Sequence, residues 1–95
     1  MITHVVLFKL KDRSPQSIEK AKDILLGLKG KIPVLRYLEA GIDVLHSERS
    51  YDIALITKFD SIEDLQAYQM HPVHLEVAKY INSVKEFSIS VDYDS

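Results

Sequence analysis

The chain has 95 residues, 46% of them hydrophobic, and no cysteine. That is the size and apolar share of one folded domain, taken as residues 1–95, and the missing thiols exclude a disulfide scaffold, a thiolate zinc site and a cysteine nucleophile. Twelve Lys and Arg against fourteen Asp and Glu leave a net charge of −2, which argues against a phosphate-backbone binder, so no nucleic acid partner is expected.

Thr3 to Leu10 reads THVVLFKL, rich in β-branched and aromatic residues, and predicts a first strand rather than a secretory leader. No run reaches the roughly 18 apolar residues of a membrane span, so no membrane contact is expected and the cytosol is the default compartment. Ser14 caps a first helix with Pro15 at its first position; Ile18, Ala21, Leu25 and Leu28 recur at spacings of three and four, and Gly30 marks its end. Leu35 to Val44 predicts a second strand with Leu38, Ala40, Ile42 and Val44 on alternate positions and a bulge at Gly41. His46 to Ser50 is a polar hairpin loop, and Tyr51 to Phe59 the third strand.

Asp60-Ser61-Ile62-Glu63-Asp64 offers two overlapping caps for a second helix. Pro72 lacks a donor and pushes His71 toward an extended conformation, so the helix breaks at His71 and restarts at Pro72. The restarted piece places Leu75, Ala78, Ile81 and Val84 at helical spacing, and Phe87 to Tyr93 closes the chain as a period-two strand. The order is β-α-β-β-α-β. With right-handed crossovers it folds into an α+β, ferredoxin-like protomer: a four-stranded antiparallel sheet with both helices on one face.

That sheet is apolar on both sides. His4, Val6, Phe8 and Leu10 share one face of the first strand and Val5 and Leu7 the other; on the third, Ile53, Leu55 and Phe59 oppose Ala54 and Ile56. Helices cover one face only, so the other predicts a second copy packed sheet to sheet about a two-fold axis, a homodimer; the plainer alternative is a modest exposed patch on β-rich strands.

Histidine is the side chain poised to titrate near neutral pH, and the densest cluster is Tyr68-Gln69-Met70-His71-Pro72-Val73-His74. His74 falls in the first turn of the restarted helix, where the positive end of the helix dipole lowers its pKa and favours the neutral imidazole of a general base. A phenol beside the same cavity, Tyr68, can orient a carbonyl or stabilise an enolate. Against these stand plainer roles: His71 as a cap that locks the break, Tyr68 as a core aromatic, His4 as a hydrogen-bonded core histidine and His46 as a solvated loop residue. His71 and His74 are three apart, but Pro72 interrupts their face and no third ligand follows, so no metal site is predicted. Neither a nucleophile elbow nor a phosphate loop is present, and no cofactor motif is visible.

The opening Ile2-Thr3-His4-Val5-Val6-Leu7-Phe8-Lys9-Leu10-Lys11, Gly41 followed by Tyr51-Asp52-Ile53-Ala54-Leu55, and Phe59-Asp60-Ser61 leading into Tyr68-x-x-His71-Pro72-x-His74 resemble the stress-responsive dimeric α/β-barrel (Dabb) family over nearly the whole chain. The resemblance implies two ferredoxin-like protomers joined sheet to sheet into a dimeric α/β barrel. Most members of the family are described only as stress-induced or of unknown activity. The best-understood relative, olivetolic acid cyclase, closes a linear poly-β-ketone by aldol condensation, and the resemblance implies catalytic roles for His74, Tyr68 and His4. A further histidine of the cyclase is replaced here by Ile53, which implies a drier pocket. The implied function is binding or conversion of a small polyketide-like or aromatic carbonyl compound. The alternatives are a non-catalytic stress-induced structural protein and a small monooxygenase-like barrel enzyme.

Overall fold

The computed structural model describes residues Met1 to Ser95. Its elements run β1 (Ile2–Leu10), α1 (Pro15–Leu26), β2 (Tyr37–Ile42), β3 (Ile53–Phe59), α2 (Ile62–Met70), α3 (Pro72–Val84) and β4 (Lys85–Asp94). The strands form one antiparallel sheet in the order β2-β3-β1-β4. This is the expected βαββαβ architecture, with its second helical segment divided at His71.

Local chemistry sets the boundaries. Ser14 is extended and its hydroxyl accepts from the Ser17 N–H at 3.2 Å, with Pro15 as the first helical residue. α1 stops at Leu26, ahead of Gly30, because the chain tightens there into successive turns, and the sense reverses only at Gly30, whose φ is 78°. Those turns still bury Leu28 and Ile32.

β2 is shorter than expected. It begins at Tyr37 and ends at Ile42, and Val44 lies beyond it, 87% exposed. Gly41 stands directly opposite Ala54 in unbroken register, so the bulge expected there is absent; the irregularity falls between Lys9 and Leu10, where β1 meets β4. β3 likewise starts at Ile53 rather than Tyr51, and ahead of it the Asp43 N–H donates to the Asp52 carbonyl across the hairpin neck at 2.9 Å.

The core lies between the sheet and the helices. Phe8, Leu10, Ile53, Leu55 and Phe59 rise from the central strands to meet Ile18, Ala21 and Leu25 of α1, Leu65 and Tyr68 of α2, and Ile81 of α3. On α3 the inward stripe is Val73, Val77, Ile81 and Val84, spaced four, four and three; Leu75, expected on that stripe, is exposed. Asp52 is the one fully buried carboxylate. It accepts from the Leu10 N–H and from Arg13 Nε, both at 2.9 Å, and Arg13 Nη2 reaches the Ser47 and Ser50 carbonyls. This cluster ties the β2–β3 loop to the end of β1.

β4 inverts the usual alternation. Its apolar residues Phe87, Ile89, Val91 and Tyr93 pair with Lys9, Leu7, Val5 and Thr3 on the face away from the helices, and they are 56%, 52%, 56% and 49% exposed. Ser88, Ser90 and Asp92 take the helix side, opposite Phe8, Val6 and His4. An antiparallel sheet with one open face normally shows polar residues there. No helix is long and apolar enough to cross a membrane.

Candidate active site beneath the third helix

The serines of β4 explain a cavity. Side chains this small do not fill the space between β4 and α3, and a cavity of about 240 Å³ remains. Val77, Ala78 and Ile81 form its roof; Val6 and Phe8 form its floor. His4, Tyr68 and His74 all line it, so the fold gathers three residues far apart in sequence around one volume.

His74 sits in the first turn of α3, and its Nδ1 lies 3.1 Å from the Gln69 carbonyl oxygen. A carbonyl only accepts, so Nδ1 carries the hydrogen and the neutral ring keeps its lone pair on Nε2. The His74 pKa is lowered, first by burial and then by the neighbouring His4, while the Gln69 hydrogen bond works in the opposite direction. The direction is the one expected from the sequence, but burial rather than the helix dipole is the leading cause.

Tyr68 is 1% exposed, wedged between Phe59 and His74 at ring-centroid separations of 4.9 and 4.5 Å. Burial pushes its phenol up to about 12, so the hydroxyl remains a hydrogen-bond donor through the physiological range. It is not among any fully buried, unpartnered polar atoms, and no protein group bonds to it; the hydroxyl therefore opens on the cavity.

His4 reaches the site from β1. Its Nδ1 hydrogen-bonds a carboxylate oxygen of Asp92, the residue directly opposite it on β4. The carboxylate is an acceptor, so this ring also directs Nε2 away from its partner. The arrangement supplies two imidazole nitrogens and one phenol to a mostly apolar volume, the inventory needed to move a proton next to a carbonyl.

His71 stands apart from the cavity. Its Nδ1 accepts from the Val73 N–H at 3.1 Å and caps α3. His46 is an exposed loop residue at φ 53°. Ile53 is buried in the core and does not line the cavity, so its presence does not make this pocket drier as the resemblance implied. No three His, Asp or Glu side chains are placed to hold a metal ion. Sequence reasoning missed Asp92, the Gln69 carbonyl, Lys85 and the two serines; the alternating Ser88-x-Ser90-x-Asp92 was the available signal.

An α+β protein whose interrupted second helical segment hangs a histidine and a phenol over its sheet is thus defined by fold and cavity together. Residues 2–95 match the stress responsive A/B barrel domain, and the chain belongs to that family. It is 30% identical over 98 residues to the stress-response A/B barrel domain-containing protein DABB1 of Arabidopsis thaliana, a match that covers 98% of this chain and 46% of that protein. The chain thus spans about half the length of that relative. A dimeric protein of unknown function and ferredoxin-like fold from Bacteroides fragilis superposes with a TM-score of 0.84 at 33% identity, covering 99% of this chain and 95% of that one. A dimeric ferredoxin-like protein of unknown function from Thermobifida fusca gives 0.87 at 27% identity, covering 99% and 90%.

Proposed function

We propose that two copies of this chain join sheet to sheet and that each binds a small carbonyl compound in the cavity under α3, with His74 as general base. The observation that carries the reading is the Nδ1–Gln69 hydrogen bond, which leaves Nε2 unprotonated beside an unpartnered phenol. His74 Nε2 takes a proton from the carbon next to the carbonyl, the electron pair moves onto the carbonyl oxygen, and the Tyr68 hydroxyl holds that oxygen by hydrogen bonding. His4, oriented by Asp92, assists as a second polar group. In a longer poly-β-ketone the same carbanion attacks a second carbonyl carbon, a carbon–carbon bond forms, and the new alkoxide recovers the proton from His74. That is the aldol closure implied by the resemblance to olivetolic acid cyclase. The open apolar face of β4 and the dimeric relatives support the paired assembly.

The test is hydrogen–deuterium exchange at the methyl group of acetophenone in heavy water, followed by NMR. The wild-type chain accelerates exchange over buffer; His74→Ala lowers that acceleration by about 10²-fold or more, and Tyr68→Phe by roughly 10²-fold. Thermal melts run alongside, because His74 also stacks on Tyr68 and bonds the backbone. Wild-type exchange at the buffer rate, or a folded His74→Ala variant exchanging like wild type, overturns the reading in favour of a structural role for this cluster.

A further inference from the structure

The cavity has two unlike ends. At one lie His4, Tyr68 and His74; at the other lies Lys85, the first residue of β4 and the C-cap of α3. The register of β1 against β4 orders the walls between them: Asp92 faces His4, Ser90 faces Val6, Ser88 faces Phe8 and Lys85 faces Leu10. From His74 to Lys85 the roof helix covers about 16 Å at a rise of ~1.5 Å per residue.

Among the lining residues Lys85 alone carries a permanent charge. It is half-buried, its Nζ donates to Ser88 Oγ at 2.9 Å, and none of the four ion pairs of the chain includes it. An ammonium group tethered by one neutral hydroxyl, with no carboxylate against it, retains donors for an incoming anion. Its neighbour Glu86 is exposed and takes no part in the lining. The stretch between the two ends is mostly apolar, walled by Val6, Phe8, Val77 and Ile81, with the Ser88 and Ser90 hydroxyls along the β4 side.

We infer that Lys85 is a specificity-determining residue that selects ligands carrying a carboxylate at the end opposite their reacting carbonyl. Resting on the general-base reading above, this narrows the substrate class to elongated keto acids with a mostly apolar middle. The competing role for Lys85 is purely structural: a cation at the C-terminus of α3 complements the exposed carbonyls there.

The probes are para-acetylcinnamate, which spans an acetyl carbonyl and a carboxylate, and its neutral isostere para-acetylcinnamamide. Calorimetric titration gives the affinity of each, and deuterium exchange at the acetyl methyl group reports proton removal. Wild type prefers the carboxylate by about tenfold, the size of one charge-assisted hydrogen bond. Lys85→Gln loses that preference and binds the two probes alike, and Lys85→Arg keeps much of it. Should Lys85→Gln fail to fold, the wild-type preference itself is the readout: it shrinks with added salt if the ammonium is its source.

The outcomes separate the two readings. Equal affinity for both probes with exchange intact, or a preference that survives in Lys85→Gln or is indifferent to salt, overturns the role of Lys85 and leaves His74 standing. Preferential binding of the carboxylate without exchange overturns the base and leaves Lys85 standing. Failure of both probes to bind overturns both.

Discussion

Ala78 lines the roof of the cavity and is half-buried, so replacing it with leucine drives three additional carbons into space that Ser88 and Ser90 leave unfilled. Burial is worth about 0.8 kcal/mol per methylene, or at most about 2.4 kcal/mol here. Fixing the leucine rotamer costs about 0.5–1 kcal/mol, which leaves a net stabilisation of at most about 1.4–1.9 kcal/mol. For a chain of 95 residues that raises Tm by up to about 6–15 °C. Circular dichroism melts and urea titrations measure the gain, and acetophenone exchange measures the loss: Ala78→Leu is more stable than wild type and exchanges no faster than His74→Ala. A lower Tm shows that the space is already occupied in solution and that leucine overpacks it. Such a result refutes the cavity and, with it, the placement of the ligand.

Three further outcomes follow from other parts of the molecule. Asp52→Ala orphans the buried Leu10 N–H and strands Arg13, which is partly solvated; equilibrium unfolding shows a loss of about 2–4 kcal/mol, and Asp52→Asn, which keeps an acceptor, loses less. Because burial lowers the His74 pKa below its ordinary 6.5, the folded chain holds fewer protons than the unfolded one just below that pH. Stability therefore falls as the pH drops below about 6.5, and urea titrations across pH 5–7 show His74→Gln losing this part of the decline. Val91→Lys places a charge on the open apolar face, and light scattering finds a shift from dimer toward monomer, with no change expected if that face is simply exposed.

Much of this architecture was legible in the sequence because its signals are local. Ser14-Pro15 fixes a helix start within two residues, and His71-Pro72 fixes a break through the missing donor and the forced extension before it. Errors arose where local signals are ambiguous. Glycine permits a bulge without requiring one, so Gly41 stays in register, while the irregularity at Lys9 and Leu10 comes from how β1 meets β4 across the whole chain. The site divides in the same way. Tyr68 and His74 lie on neighbouring helical turns and can be read together; Asp92 joins His4 only through strand pairing, and Lys85 enters the cavity only because β4 departs directly from α3. Likewise, the cause of the His74 shift depends on what covers the ring, which spacing does not encode.

The inverted alternation of β4 assigns its odd and even positions to different tasks. Phe87, Ile89, Val91 and Tyr93 turn their side chains to the open face, whereas Ser88 and Ser90 wall the cavity and Asp92 orients His4. Sliding β4 by a single residue would exchange these sets, plugging the cavity with aromatic and aliphatic side chains and making the outer surface hydrophilic. The open apolar face and the cavity would vanish in the same step. The irregularity between Lys9 and Leu10 is where that strict division stops, and beyond it an odd-numbered residue, Lys85, stands opposite Leu10 on the helix side.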